Sequence, residues 1–556
     1  MRKLQGSYVF IFLFLFGSSL FAQEIINCDY IIEPDELSIT ELHTNPGDTL
    51  CILAGQRPHL YLKNINGNED SAVVIINYGG QVRIYSEHYY GLKFAECNYV
   101  RLTGTGDSDF EYGILIDTVA LGDGINVSSK SSDFEIDHIN IQKTKNTGIL
   151  AKSDPNCTFT TVRDSFTMYN VHLHHNYLED IGTEGIYVGN SFFLGMYLSS
   201  CDTTILPHLV EGVSIHHNQL YRIGWDGIQV GCALNGCDIF NNEIFYDSQK
   251  EQTYQMSGVM VNTGSRCDVH DHIIVDGMGT GIINQGAGGQ KFYNNLIINA
   301  GRNFKPDDQY TSQQFGIFSK YSYILPPDSS FLFFNNTIIN PKSDGIRFYN
   351  SHSSNNLFYN NIIINPGAFA FYDTNGSVNN IGEDAYIHNY LDESEIIMSR
   401  NIFERSAADQ FFEDTLTFNY RLTSHSPAFN RGSDISDFAI FHDLDGNIRP
   451  YDDDYDVGAY ELQSAEGLFD LVSHSNYLEL APNPSIDFLE IEIPSQLEKN
   501  AHLEILNPSG KNIYTKYIYP SRGASFIYET SDLPGGLYFV VIKSGEQNYF
   551  SKFIKL

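Results

Sequence analysis

Tryptophan occurs once in 556 residues, at Trp225, and basic residues are scarce: 33 Lys and Arg stand against 68 Asp and Glu, a formal charge of −35. So acidic a chain has no polycation to lay along a phosphate backbone, which excludes nucleic acid as a partner. It is equally unsuited to docking on an anionic membrane. Long hydrophobic runs are missing too. The apolar stretch Tyr8–Phe16 is too short to span a bilayer and nothing later approaches one, so no transmembrane segment is expected. Phosphate-binding glycine loops, a dinucleotide fingerprint and a serine nucleophile elbow do not occur. The glycines of Thr103–Asp107 follow a strand but open no helix, so they read as turns. Helical periodicity is absent from the body of the chain.

What is present begins with export. Arg2 and Lys3 precede the apolar run, and GSSLFAQ follows it, the pattern of a secretory signal over 1–22 cleaved after Ala22. All eight cysteines lie beyond that point, where oxidation is permitted. Cys28 with Cys51 and Cys157 with Cys201 are the expected bridges.

The chain then repeats itself. DIGTEGIYVGN from Asp180 returns as RIGWDGIQVGC from Arg222. Short alternating segments end in a polar turn: VHLHHNYL, VSIHHNQL, CDIFNNEI, CDVHDHII, KFYNNLII, FLFFNNTII and LFYNNIII. Most are followed by a second strand that opens with Gly and an aliphatic residue, as in GILAK, GIYVG, GIQVG, GVMVN and GIINQ. Asn176, Asn218, Asn242, His272, Asn295, Asn336 and Asn361 follow one another at intervals of 42, 24, 30, 23, 41 and 25 residues. A unit of roughly 23–25 residues with insertions marks a stacked repeat. No single unit can bury its apolar face, so like residues should sit over like residues at the strand spacing of about 4.8 Å. Cys237 and Cys267 then share one inward column with Val171 and Val213 and are expected as packed thiols.

These segments resemble the right-handed parallel β-helix proteins of the pectin-lyase-like superfamily, over about residues 60–380. The implied fold class is all-β: a right-handed parallel β-helix followed by a small C-terminal β-sandwich. An N-terminal cap is expected over 23–60, the β-helix over 61–383 and a closing segment over 384–462. In the last of these the Asp443, Asp445, Asn447 spacing hints at calcium, but Gly446 stands too early for an EF-hand loop, and a structural turn pairing an Asp with Arg449 is expected. Residues 473–556 carry LAPNPS, LEILNPSGKNIY, LPGGLYFVVI and the terminal SKFIKL. In that order these resemble the C-terminal sorting domain of the type IX secretion system. The resemblance implies that machinery as a partner, and a location that is secreted or at the outer-membrane surface. The chain is expected to be a monomer.

Aligned on the Gly-aliphatic step, the residue before Gly is Thr147, Glu184, Asp226, Ser257, Thr280 or Asp344. Glu184 and Asp226 then become neighbours on adjacent rungs, and two carboxylates there repel by roughly 1–3 kcal/mol. One relief is a shared proton, the arrangement a glycosidase uses for its acid and nucleophile. Another is a bridging cation, as in a calcium-dependent lyase, so calcium is the one cofactor considered, with Glu184 and Asp226 as its ligands. A third is that small or acidic residues before Gly simply make the turn. Tyr187, Gln229 and Met260 form an outward column beside the pair, and Trp225 adjoins Asp226. Insertions over Ser153–Tyr169, Asn190–Glu211 and Gln249–Met256 leave or enter at the same edge and would wall a groove. Catalysis is therefore expected at Glu184 and Asp226, with Tyr187, Trp225, Gln229 and Arg222 contacting a polysaccharide in a lyase or hydrolase reaction. The rival expectation is a non-catalytic adhesin or glycan-binding protein. Lys143, Asp180 and Arg222 read as an ion-pair ladder, and the His-His-Asn motifs as a solvated turn face.

Overall fold

The computed structural model describes residues 26–302, 304, 314–320, 329–369, 371–373, 376–378, 385–391, 394–405, 410–451, 454–463, 475–478, 480–494, 497, 501–506, 512–518, 525–531, 533, 536–544 and 547–555. The signal segment 1–22 lies outside the described residues. Described regular structure is strand, apart from short 3₁₀ turns such as Thr415–Thr417 and Ser436–Phe438. No described helix is long and apolar enough to cross a membrane. The chain divides into two compact units. One runs to Phe358 and takes in Ile363–Met398 and Phe403–Arg405. The other comprises Tyr359–Ile362, Ser399–Ile402 and Ser406–Leu556.

The first unit is a parallel β-helix. Each turn of the chain supplies a strand to a first sheet, a continuation after a bend, and a strand to a second sheet of twelve. In the first sheet Ser132–Asp137, Thr167–His174, Leu209–His216, Asn235–Phe240, Cys267–His270 and Gln290–Tyr293 pair in parallel, each with the next. In the second sheet Asp123–Ser128, Ile149–Ala151, Ile186–Val188, Ile228–Val230, Ser257–Val261 and Thr280–Asn284 do the same. Period-2 alternation turns one residue set inward. Val171 lies over Val213, then Cys237, then Cys267. All four are buried in one continuous core.

The turn between first-sheet strand and continuation explains the double polar residues. His138, His175, His217, Asn241, Asp271, Asn294 and Asn335 have φ between 50° and 56°. That left-handed region is tolerated best, after Gly, by Asn, Asp and His. The following residue turns inward into a ladder. Asn218 Nδ2 donates to Asn242 Oδ1 at 2.9 Å and to Leu173 O at 2.9 Å, while Asn218 Oδ1 accepts from Asn176. The same pattern carries on through Asn295 and Asn336. Buried turn amides are thereby satisfied without water. The glycine before each second-sheet strand is fixed by close approach: a Cβ on Gly185 would stand 2.5 Å from Leu220 and 2.6 Å from the Gly227 carbonyl.

The expectation of packed thiols at Cys237 and Cys267 is corrected. They form a disulfide, with Cα atoms 4.4 Å apart. In-register neighbours of one inward column stand within bridging reach, so adjacency itself supplies the geometry. Cys28–Cys51 and Cys157–Cys201 are also bonded, each with Cα atoms 5.7 Å apart. Cys97 and Cys232 are buried free thiols.

In the second unit Asp443 makes a tight turn, its carboxylate accepting from the backbone of Asp445, Asn447 and Glu461. Arg449 pairs with Glu461 at 3.2 Å, and its charge also acts on the Asp443 carboxyl. Further on, five-stranded and three-stranded sheets contribute to one core, with Leu489 and Ile491 packing among Leu503, Ile505, Val540 and Ile542.

Candidate functional site

Two outer surfaces of the β-helix carry chemistry-bearing side chains. On the second sheet, the register Ile186↔Ile228 sets Glu184 and Asp226 on adjacent rungs. Both are buried, at 4 % and 0 % exposure. Thr147 Oγ1 donates to Glu184 Oε2 at 3.3 Å, and Ser257 Oγ donates to Asp226 Oδ1 at 2.7 Å. These donors belong to the flanking rungs of the same column. Burial pushes the Asp226 carboxyl well up from the usual carboxylate range, with Glu184 and Asp247 adding to the effect. Asp247, also fully enclosed, is pushed up to about 6 by burial.

The other residues expected at this site are placed as follows. Tyr187 and Gln229 form part of the outward column, yet both are covered by the segment that begins at Asn190. Tyr187 Oη and Ser191 Oγ are 2.8 Å apart, and Gln229 Nε2 donates to Ser191 Oγ at 2.9 Å. Phe193 seals that cover onto Gly264, where a Cβ would fall 1.9 Å from the ring, and Arg163 lies over the same ring at 4.1 Å. Lys152 sits over the Tyr187 ring at 4.8 Å. Trp225 is half-buried. Arg222 is exposed and engaged by Asp180 at 2.7 Å and Glu179 at 2.5 Å, while Lys143 pairs with Asp117. The acidic pair is thus enclosed, and Tyr187 and Gln229 beside it lie under the segment that begins at Asn190.

The first sheet presents an open face. Its outward column stacks His174 on His216 at 4.8 Å, then Phe240, His270 and Tyr293 at 4.7, 5.2 and 4.3 Å. Beside it the left-handed turn residues His138, His175 and His217 stack at 5.4 and 4.8 Å. The sequence groups these imidazoles as His-His-Asn motifs but does not show that the first His stacks outward, the second makes the turn and the Asn turns in. The second column borders a cavity of about 260 Å³, whose other walls include Glu111, Tyr112, Gln219 and Glu243. Burial raises Glu243, and burial together with Glu111 carries Tyr112 up to about 12. Burial and neighbouring imidazoles lower His175, and burial lowers His217 with His174 adding to it. A second cavity of about 270 Å³ on the same sheet is lined by Glu69, Tyr99, Arg101, Asp133, Glu135 and His172, among others. Neither Tyr112 nor Glu111 carries a sequence signal, since they enter on the connection between first-sheet strands.

Glu135, Asp137 and His174 bring ligand atoms within 4.8 Å of one another. That place is already served by a cation: Arg101 Nε lies 3.1 Å from Glu135 and 3.0 Å from Asp137. Burial works to raise Asp137, but hydrogen bonds from His138, Thr103 and Arg101 outweigh it and bring the carboxyl down to about 2. The arrangement is a guanidinium-centred network rather than a metal centre.

Residues 203–389 match the family model described as right handed beta helix region, and residues 479–556 match the secretion system C-terminal sorting domain. No curated protein sequence matches the chain. Among solved structures, the GH136 lacto-N-biosidase from Eubacterium ramulus is similar at 12 % identity and a TM-score of 0.33, over 66 % of this chain and 63 % of that one. The match therefore spans less than two thirds of that enzyme. The Azotobacter vinelandii mannuronan C-5 epimerase AlgE6 A-module is similar at 11 % identity and a TM-score of 0.28, over 64 % of this chain and 91 % of that one. The sorting-domain match indicates secretion or surface attachment by the type IX route.

Proposed function

We propose that this is an exported carbohydrate-active protein that holds a polysaccharide across the open face of the first sheet. Bond cleavage takes place at the cavity between Glu243, Tyr112 and the His138–His175–His217 column. The carrying observation is the pairing in one cavity of a carboxyl raised by burial with imidazoles lowered by burial. A raised carboxyl keeps its proton to higher pH than a free one, and a lowered imidazole stays a free base to lower pH, which shifts the pair toward the acid and base that hydrolysis or elimination needs. Glu184 and Asp226 fit this role less well, because both carboxyls are buried.

The test is depolymerisation of acidic and neutral polysaccharides, read as new reducing ends and as unsaturated ends. Glu243→Gln and His175→Gln are expected to lower turnover by roughly 10²-fold or more, and Glu184→Gln to leave it unchanged. Loss confined to Glu184→Gln would move the chemistry to the second sheet. Retention of a glycan by the wild type with no cleavage would instead support the adhesin or glycan-binding reading.

A further inference from the structure

Three imidazoles line the cavity on the first sheet, and one of them is held differently from the others. His175 and His217 each turn Nδ1 to another imidazole, His174 and His216, at 2.9 and 2.8 Å. Either ring of such a pair can carry the proton, so the contact fixes no tautomer. His138 instead turns Nδ1 to a carboxylate, Asp137 Oδ1, at 2.6 Å. Asp137 is 0 % exposed, yet two further donors reach it. Thr103 Oγ1 donates to Oδ1 at 2.6 Å, and Arg101 Nε donates to Oδ2 at 3.0 Å. Both belong to the strand Asn98–Thr103, whose register sets Thr103 directly against Asp137. The three bonds outweigh burial and keep the carboxyl low, at about 2. An ionised carboxylate only accepts, so the proton between it and His138 sits on Nδ1. In the neutral ring Nε2 is then an acceptor, and among the described residues nothing hydrogen-bonds to it. The ring's plane is fixed as well, for it lies within 3° of parallel to His175 at 5.4 Å. Its backbone is fixed by the preceding rung, where a Cβ on Gly104 would stand 2.0 Å from the His138 carbonyl oxygen.

We infer that Asp137 is a positioning residue that fixes the His138 proton on Nδ1 and leaves Nε2 as the proton acceptor of this cavity. The inference rests on the cleavage reading for what the acceptor does, not for where the proton sits. A buried carboxylate behind an imidazole holds its tautomer and stabilises the imidazolium that forms when Nε2 takes a proton. In hydrolysis a water oxygen bonds the anomeric carbon as one of its protons passes to Nε2. The glycosidic bond breaks, and the leaving oxygen takes the Glu243 proton. Solvent then removes the proton from His138 and returns one to Glu243. Asp137 neither gains a proton nor touches the substrate. His175 serves the same step by packing on the His138 face, so its loss loosens the acceptor.

The first measurement is nitrogen NMR of the full-length protein labelled with heavy-nitrogen histidine, at a pH above neutrality, the His138 signal being the one that His138→Gln removes. A neutral ring protonated on Nδ1 is expected, and protonation on Nε2 overturns the inference whatever the activity. The second is steady-state cleavage of the polysaccharide that the wild type depolymerises. Asp137→Asn should lower kcat by roughly 10²-fold or more and leave KM within about twofold of the parent. Combined with His138→Gln it should cost nothing further, since Asp137 acts through that ring. A residue that only braced the turn would add its own loss to that of His138→Gln. Such additivity overturns the inference, as does an unchanged kcat in Asp137→Asn. Should Asp137→Asn fail to fold, the wild-type tautomer decides. A wild type that carries the Nδ1 proton but cleaves no polysaccharide overturns the cleavage reading, and with it the acceptor's role, while the placement of the proton stands.

Discussion

At the scale of the residue, the ladder position His272 is the informative exception. Its neighbours above and below are Asn242 and Asn295, and it does the same work with a different group. Nδ1 accepts from the Asn242 amide at 3.1 Å, and Nε2 lies 3.0 Å from the Ile239 carbonyl, to which it donates. That pattern requires the neutral ring, and burial lowers its pKa to about 3. The unfolded ring titrates near 6.5, so the unfolded chain binds the proton first. The contribution of His272 is fully present above about pH 6.5 and is lost as pH falls toward 3. His270 has the opposite sign: burial opposes its charge, but Asp238 and Asp271 hold it up at about 9. Its contribution is present below about 6.5 and is lost as pH rises through 9. We therefore expect His272→Asn to match the wild type at pH 7 and to lose less stability on going to pH 4.5. The difference should be about 2–3 kcal/mol in urea unfolding. An identical pH dependence in both proteins would show that the ring is not held neutral. The column itself was legible in the sequence, His272 included, because ladder Asn residues recur with a turn-former before each. The roles of the paired histidines were not, since outward stacking and left-handed turn both accept the same side chain.

At the scale of the element, stacking decides more than propensity does. Strands of three to five residues such as Ile186–Val188 and Ser257–Val261 are too short to persist alone and hold because each is paired on both sides. The same adjacency explains the disulfide that the sequence reading took for two thiols: a column of apolar residues and a column that can be bridged look alike until the strand spacing is known. Titration of the unfolded, unreduced protein should find two reactive thiols, Cys97 and Cys232. Four would restore the thiol reading of Cys237 and Cys267. With Cys237→Ser and Cys267→Ser together, the 30-residue loop is released, and the β-helix should lose roughly 3–4 kcal/mol on the chain-entropy account. The insertions were equally legible as insertions, but not their course. Nothing in Asn190–Glu211 says whether it walls a groove or covers it. The answer lies in Ser191 and Phe193, which meet Gln229 and Gly264, partners that only the folded chain brings near.

At the scale of the whole molecule, a repeat scaffold separates what can be read from what cannot. Each rung restates the same inward column, so the fold is spelled out many times over and survives local irregularity. The open face draws on different rungs and on a loop bearing Tyr112, so the repeated His-His-Asn motifs mark only part of it. The division of labour along the chain is similar. The β-helix residues up to Phe358 and the sheets around the Leu503–Val540 core fall in separate compact units, and residues 479–556 alone match a sorting domain. Sorting signals are read by the export machinery, not by the fold they accompany. Removal of 479–556 is therefore expected to leave the β-helix with its circular dichroism and melting temperature within about 2 °C of the parent. In a bacterium that has the type IX system, the truncated protein should accumulate in the periplasm, whereas the parent reaches the surface or the medium. Fractionation followed by protease accessibility on intact cells distinguishes the two. Surface delivery of the truncated protein would mean that the export signal lies elsewhere, and unfolding on truncation would mean that the second unit is needed for the first to stand.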